Sequence, residues 1–573
     1  MNNNKNRSGF GKAFYVANFM EIFERLAWYG FFTLSSLYMT SPVEQGGLAF
    51  NDSQRGALQG IVPFFLYLLP VLTGALADRY GYRRMFLVSF AIMAPSYYLL
   101  GQVDSFSGFF VTFMMVALGA ACFKPVVVAT VSHATNDDNR GLGFGIFYTM
   151  INVGGFIGPL IAGYVRAISW DAVFVMSSLW ICVNFMPAVF LYRDPDCVKN
   201  NNIKFGLVLK QAQLVLGNGR FALLVFPCIF LLMAAGASWL SYSYAFLSIG
   251  VWVLINLVWD RLSREKSASW YKQPIQISNA PFLIYLLLIT GFWAVYNQLF
   301  YTMPLFIRDF VDTGDLVELL GPSAVEFFAY VDVDALTNKL DSIIASGSAL
   351  DANQIRQELV HYKVLVPVEV IDSALVLLQQ NSSTEYVSEM AHHWAQTYRQ
   401  VNPEYIINLD FAAIVLCQTM VSYVCQKFKT ISVLMVGLVV FAIGLLISIW
   451  ANSVLLGGSI AVLAVLMMAF GEMITSPKSQ EYVASIAPKD QAALYMGYYF
   501  VSMALGFLFA GLLSGWGYGT LAKEMGRPDL MWGLFSLLAL ITSFGLFWFN
   551  QTFIKSAKTS STQIDTNTPI SDN

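Results

Sequence analysis

The chain has 573 residues, of which 57% are hydrophobic, 15% aromatic and only 12% charged, and its formal net charge is −3. So few charges on so long a chain are incompatible with a soluble globular protein and leave no basic surface for nucleic acid, so the composition places the chain in a bilayer. Six cysteines (Cys122, Cys182, Cys197, Cys228, Cys417 and Cys425) fall in apolar runs or in one linker, without the spacing of a disulfide framework or a metal site.

A membrane-spanning helix needs about 20 mostly apolar residues, and about fourteen windows qualify. They lie near 14–40, 54–77, 84–102, 107–132, 142–165, 172–192, 220–236, 238–259, 281–306, 408–427, 431–451, 454–476, 491–515 and 530–553. The first carries internal charges, is too long for a leader and has no small-residue cleavage site, so it reads as a retained span. Lys and Arg gather at 5–12, 79–84, 193–210 and 261–272, while the loops near 42–53 and 103–107 have almost none. The positive-inside rule then puts both termini in the cytoplasm.

The expected division is an N-terminal tail (1–13), a six-helix bundle (14–192), a basic linker (193–219), a transmembrane hairpin (220–260), a second linker (261–280), a seventh bundle helix (281–310), an insert (311–405), the rest of a second bundle (406–556) and a tail (557–573). The tails lack apolar periodicity and read as disordered. Two bundles around a hairpin is a layout that puts a solute site between halves at mid-membrane. The insert reads as an extracytoplasmic helical domain with helices from Asp334, after Asp351, over 370–379 and over 384–399, with Asp334 and Asp351 as N-caps and Gly347 closing the first. It holds fourteen Asp/Glu and four Lys/Arg, a net of −10, as a solvated surface or as a docking face for a protein partner. Three of the four histidines (His361, His392 and His393) fall here and read as surface groups. With His133 at a span end, the membrane core has almost no histidine, so proton transfer there falls to carboxylates.

Glu21, Glu24 and Arg25 lie within a turn or so of one another inside the first span, where unpaired ions are costly and mark a functional site. Glu21 and Arg25, four apart, share a helix face, and Glu24 with Trp28 forms the neighbouring stripe. An ion-pair lock and a proton relay explain these three residues equally well. The second span ends in Gly74-Ala-Leu-Ala-Asp78-Arg79-Tyr-Gly81-Tyr-Arg83-Arg84, where glycines allow close helix contact and a tight turn. That loop resembles the one between the second and third helices of the major facilitator superfamily.

Glu21 to Gly30 is similar to the first-helix ExxERxxYYG motif of the proton-dependent oligopeptide transporters, with Trp28 for the first Tyr. Phe147-Tyr148-Thr-Met-Ile151-Asn152-Val-Gly154-Gly155 resembles their FYxxINxGS signature, with Gly155 for Ser. Gly471-Glu472-Met-Ile-Thr-Ser476-Pro477, with Ala487-Pro488 after it, resembles their tenth-helix segment. The resemblance implies an all-α fold of two six-helix bundles, a central hairpin as in bacterial members, and a bacterial inner membrane. It implies that Arg25 and Lys124 attract a peptide carboxylate and that Glu472 attracts a peptide amine and pairs with Lys124. Tyr29, Tyr148, Asn152, Trp293 and Asn297 would line the pocket. Glu21, Glu24, Arg25, Lys124 and Glu472 would couple protons, and Gly74, Asp78, Arg79, Arg83 and Arg84 would act in gating. No metal or organic cofactor is implied, only protons as coupling ion.

Two positions depart from that family. Its usual first-helix arginine is Phe32 here and its usual seventh-helix acid is Asn297, so a salt bridge across the halves is lost as a pair, as the cost of one unpaired charge requires. Asp410, at the start of the tenth span, is either a substitute proton site or a simple helix-start charge. The expected function is proton-coupled symport of di- or tripeptides by alternating access. The alternatives are the same fold carrying another small solute with altered coupling, or a membrane protein that binds a partner through the insert. No nucleophile and base arrangement supports an enzyme.

Overall fold

A computed structural model describes residues 10–135, 139–194, 218–262, 270–345, 351–380, 384–452, 456–488 and 492–555. Most of both tails and of the 193–219 linker, part of the second linker, Cys197 and Gly347 lie outside them. Among the described residues the fold is helical, with β pairing confined to an isolated bridge between Val364 and Arg399.

The membrane helices in chain order are α1 (Lys12–Thr40), α2 (Asp52–Tyr80), α3 (Tyr82–Leu100), α4 (Phe106–His133), α5 (Arg140–Arg166), α6 (Trp170–Leu191), α7 (Gly219–Gly236), α8 (Tyr242–Leu262), α9 (Ala280–Phe310), α10 (Pro403–Cys425), α11 (Thr430–Asn452), α12 (Gly457–Ile486), α13 (Tyr495–Glu524) and α14 (Pro528–Ile554). Twelve of them are long and apolar enough to cross a membrane. The other two are α1, charged at its centre, and α3, which begins beside Arg83 and Arg84. In the first half α1 packs on α5 and α6 and α3 packs on α4; in the second α11 packs on α12 and α14; the halves meet along α2 and α13. The hairpin α7–α8 pairs with itself and touches α2 and α13 through α7.

Helix α12 runs ten residues past the expected end at Ser476, because the bond that Pro477 removes is replaced. A proline has no N–H for the carbonyl four residues back; here the Gln418 amide of α10 donates to that Met473 carbonyl at 3.2 Å. The same device serves Pro125 in α4, where Thr73 of α2 donates to the Ala121 carbonyl at 2.6 Å. Lys124 therefore projects from a bend supported by a neighbouring helix.

The insert has its own core, built from Leu336, Leu340, Ile355, Leu359, Ile371, Val387 and Trp394. Its larger helices are Val333–Ala345, Ala352–Leu359, Val368–Gln380 and Thr384–Thr397, preceded by two short ones, Gly314–Leu319 and Pro322–Phe328, that the sequence reading missed. Asp334 is not the N-cap. It lies in the first turn, and Asp332 caps instead by accepting from the Ala335 amide at 3.0 Å. Asp351 holds the cap position with its carboxylate turned to the Asn353 amide. The insert is fastened to the bundle by Asp315, whose carboxylate accepts from the Gly458 and Ser459 amides at the start of α12 (3.1 and 2.8 Å). His361 is no surface group: burial and the neighbouring Arg308 charge push its imidazole down to about 3.

Candidate functional site

The apolar runs that make α1 and α5 helices also press them together through glycine. A Cβ on Gly154 would stand 2.5 Å from the Arg25 Cβ, and one on Gly158 2.9 Å from the Leu26 carbonyl. This approach holds Arg25 inside the first half, where Glu21 pairs with it at 3.2 Å and Glu24 accepts from its Nε at 2.5 Å. All three are nearly inaccessible to solvent. The Lys124 ammonium lies 3.9 Å from the centre of the Tyr67 ring, in the electrostatic field of Glu21, Glu24 and Arg25. Two carboxylates and two cations thus balance within one half. The expected pairing of Lys124 with Glu472 is not made, because Lys124 has its counter-charges nearer.

Glu472 of α12 belongs to the opposite half and is 7% exposed. It faces Tyr296 and the carboxylate of Asp410, and its Oε2 has no hydrogen-bond partner among the described residues. Tyr29 lies between the poles, 5.6 Å from the Arg25 guanidinium and within the field of Glu472. Tyr148, near both Tyr29 and Glu472, is 37% exposed and is the most accessible aromatic of the set.

The remaining pocket candidates are more deeply set. Asn152 and Asn297 donate to carbonyls of their own helices, Tyr148 at 2.9 Å and Trp293 at 2.7 Å. Trp293 is buried against α13, where a Cβ on Gly506 would meet its own Cβ at 2.2 Å. At the α2–α3 loop Gly81 has φ +95°, a conformation that favours glycine. Arg83 closes that loop on α6, donating its backbone N–H to Asp194 (2.7 Å) and its guanidinium to the Ala188 and Val189 carbonyls. Asp78 accepts from the Tyr82 hydroxyl at 3.0 Å, Arg79 lies over Tyr80, and Gly74 faces Pro125. Arg84 is exposed beside them.

Bonds joining the halves concentrate on the side of the insert. The fully buried Arg55 donates to Gln59, to the Tyr301 carbonyl and to Ser514 at 2.9 to 3.1 Å. Ser36 donates to the Tyr301 carbonyl at 3.0 Å, and Lys523 pairs with Asp52 at 3.1 Å. Arg166 of α5 forks onto Glu404 of α10 at 3.0 and 3.1 Å. Phe32 packs edge-on against Tyr301 and Phe507, so aromatic contact occupies the place where the resemblance would put a salt bridge. Arg55, Arg166 and Glu404 were missed in the sequence because each stands at a span end, where a charge looks like an ordinary flank.

The sequence profile described as Major Facilitator Superfamily matches residues 18–330 and 390–569. The chain belongs to the Major Facilitator Superfamily. It is accordingly an integral multi-pass membrane protein, and the stretch that the profile skips lies inside the insert. Curated relatives include an uncharacterized transporter, YclF, of Bacillus subtilis (28% identical over 158 residues, 27% of this chain) and a peptide transporter, YePEPT, of Yersinia enterocolitica (29% over 179 residues, 30% of this chain). A di-/tripeptide transporter of Lactococcus lactis is 30% identical over 150 residues, 25% of this chain. These matches span about a third of each relative, 32%, 34% and 30% of their lengths. Over the whole length the fold is that of solved POT family structures, one in complex with 5-aminolevulinic acid (TM-score 0.63, 16% identity, 95% of this chain and 97% of that one) and one in complex with sulfate (TM-score 0.61, 16% identity, 95% of each).

The superfamily member described here therefore brings Glu21, Glu24, Arg25, Lys124, Tyr29, Tyr148 and Glu472 to one region between its halves. Asn152, Trp293 and Asn297 support that region from behind. Of the five residues from Gly74 to Arg84, Gly74 faces Pro125 beside Lys124, while Asp78, Arg79, Arg83 and Arg84 lie apart from the region, at the end away from the insert. Among the described residues no group of three His, Cys, Asp or Glu side chains is placed to hold a metal, and His392 and His393 are exposed.

Proposed function

We propose that this chain is a secondary transporter of the oligopeptide type, a proton-coupled symporter of di- and tripeptides that works by alternating access in a bacterial inner membrane, with both termini cytoplasmic. The observation that carries this reading is the opposition of a pole containing Arg25 and Lys124 to an anionic pole at Glu472, with Tyr29 and Tyr148 between them. A short peptide is a zwitterion with its charges at its two ends. Its carboxylate would draw Arg25 and Lys124, and its amine would supply Glu472 with the cation that no described residue gives it. Similarity to a di-/tripeptide transporter supports the same cargo.

Bonds joining the halves gather on the insert side, which supports reading that side as the closed one. Protonation of Glu21, Glu24 or Glu472 would weaken the attraction of these groups for cations and let the halves rock about the site. A second reading is supported by Phe32 and Asn297: without an ion pair at those positions, the same fold suits another small solute with altered proton coupling. Uptake of labelled di-alanine into proteoliposomes under an inward proton gradient tests the first reading. Loss of that uptake in Glu472→Gln is expected, and full uptake in that variant would overturn the role given to the anionic pole.

A further inference from the structure

The first half pairs the acids it buries at the site, Glu21 and Glu24, with Arg25; the second leaves its two, Asp410 and Glu472, without a cation among the described residues. Asp410 is fully buried at the break in α10 after Asn408, and neither carboxylate oxygen has a hydrogen-bond partner among the described residues. Glu472 of α12 faces it, close enough for the two to repel, and also has an unpartnered oxygen. The other titratable groups around the pair are tyrosines: Tyr296 of α9 in the field of both, Tyr148 of α5 and Tyr499 of α13 in that of Glu472, and Tyr29 of α1, which packs 4.8 Å from Phe411. Arg25 is paired with Glu21 and Glu24, and Lys124 lies over the Tyr67 ring in the field of the same two acids. No Lys or Arg among the described residues forms an ion pair with either acid.

Two ionised carboxylates set together without a cation and out of water are strongly unfavourable, whereas one proton shared between them turns one group into a donor for the other. We propose that Asp410 and Glu472 hold one proton between them and form the pair that loads and releases the coupling ion, in place of the acid absent at Asn297. The step is simple in its balance: a proton from one side of the membrane joins the carboxylate pair, and the same proton leaves to the other side. A peptide amine arriving at Glu472 supplies the positive charge that allows the proton to depart. The assignment rests on the transport reading above, but the shared proton can be tested without transport.

The test is infrared difference spectroscopy of the full chain in lipid nanodiscs at neutral pH, following the stretch of protonated carboxyl groups. Wild type is expected to show a protonated carboxyl band that shifts in Asp410→Asn, shifts in Glu472→Gln and vanishes in the double variant. A band indifferent to either single substitution, or one that survives both, would overturn the pair. Both substitutions are nearly isosteric, and monodisperse elution of each variant establishes that it is folded. In proteoliposomes, Asp410→Asn should lose gradient-driven di-alanine uptake at least tenfold yet keep counterflow exchange of di-alanine, which needs no net proton movement. Gradient-driven uptake intact in Asp410→Asn would overturn the coupling role. Absence of all uptake in wild type would sink the peptide reading while leaving the infrared result to decide the pair.

Discussion

Lys124 precedes a proline whose lost hydrogen bond is replaced by a hydroxyl on another helix. Because Pro125 cannot bond the Ala121 carbonyl, Thr73 does so at 2.6 Å, and a buried carbonyl left without a donor costs about 1–3 kcal/mol. Thr73→Val should therefore lower stability by that amount and weaken substrate binding more than Thr73→Ser, as read by thermal unfolding and binding titration. Equal behaviour of the two variants would show that the bend does not depend on this bond. The pair Arg166–Glu404 presents a larger case, since Glu404 is inaccessible to solvent and its partner nearly so. Arg166→Ala leaves a bare buried carboxylate, at a cost of about 3–5 kcal/mol to the sealed state. A cysteine at Ser36 should then react faster with an impermeant maleimide applied from the insert side, and an unchanged rate would remove the pair from the seal.

At this scale the sequence was informative where chemistry is local. Charges inside α1 and an acid in the middle of α12 are conspicuous because hydrocarbon tolerates so few. The failures concern partners. Nothing in the linear order tells Lys124 that Glu21 and Glu24 lie nearer than Glu472, or that Gln418 waits opposite Met473.

Among the helices, α2 and α13 make the tightest junction between halves. A Cβ on Gly56 would sit 2.4 Å from the Gly511 carbonyl and one on Gly60 2.9 Å from that of Leu508. Gly56 and Gly60, like Gly511 and Gly515, are four residues apart, the small-residue spacing by which membrane helices approach closely. The sequence reading did not single out these glycines, because the spacing alone does not say which helix lies opposite. Gly56→Leu should abolish transport while leaving a monodisperse protein, and normal transport would contradict a seal at this junction. Most helix limits were legible from apolar run length; the end of α12 was not, because a proline usually stops a helix unless another element serves the orphaned carbonyl.

The docking of the insert introduces a pH dependence of its own. Folding carries the His361 imidazole from an ordinary value of 6.5 down to about 3, through burial and the charge of Arg308. The unfolded chain therefore binds the extra proton between those values, and stability falls as pH drops from about 6.5 towards 3, by at most about 1.4 kcal/mol per pH unit. Protease resistance of the insert should fall between pH 7 and pH 5 in wild type and fall less in His361→Gln. Parallel losses in both would place the titrating group elsewhere.

The molecule as a whole combines a superfamily body with an added acidic domain, and the two are separable on geometric grounds. The insert leaves and rejoins the body at adjacent points, where the Asn402 amide donates to the Phe328 carbonyl at 2.9 Å. A short Gly-Ser linker in place of residues 331–399 can therefore close the chain without straining α9 or α10. If the body is the transporter, uptake should survive this replacement at reduced stability. Loss of uptake from a variant shown to be folded would favour a chain that acts through a partner on the insert. The two-bundle architecture with its hairpin was legible from the span count and the family resemblance, whereas the folding of the insert around its own core required contacts between residues far apart in sequence.

The central claim is that opposed poles bind a short zwitterion whose movement is driven by protons despite Phe32 and Asn297. Uptake of labelled di-alanine into proteoliposomes, with and without an inward proton gradient, tests it most directly. The account predicts accumulation above equilibrium only with the gradient, and its loss in Glu472→Gln. Accumulation that ignores the gradient, or none from folded protein under either condition, would contradict it.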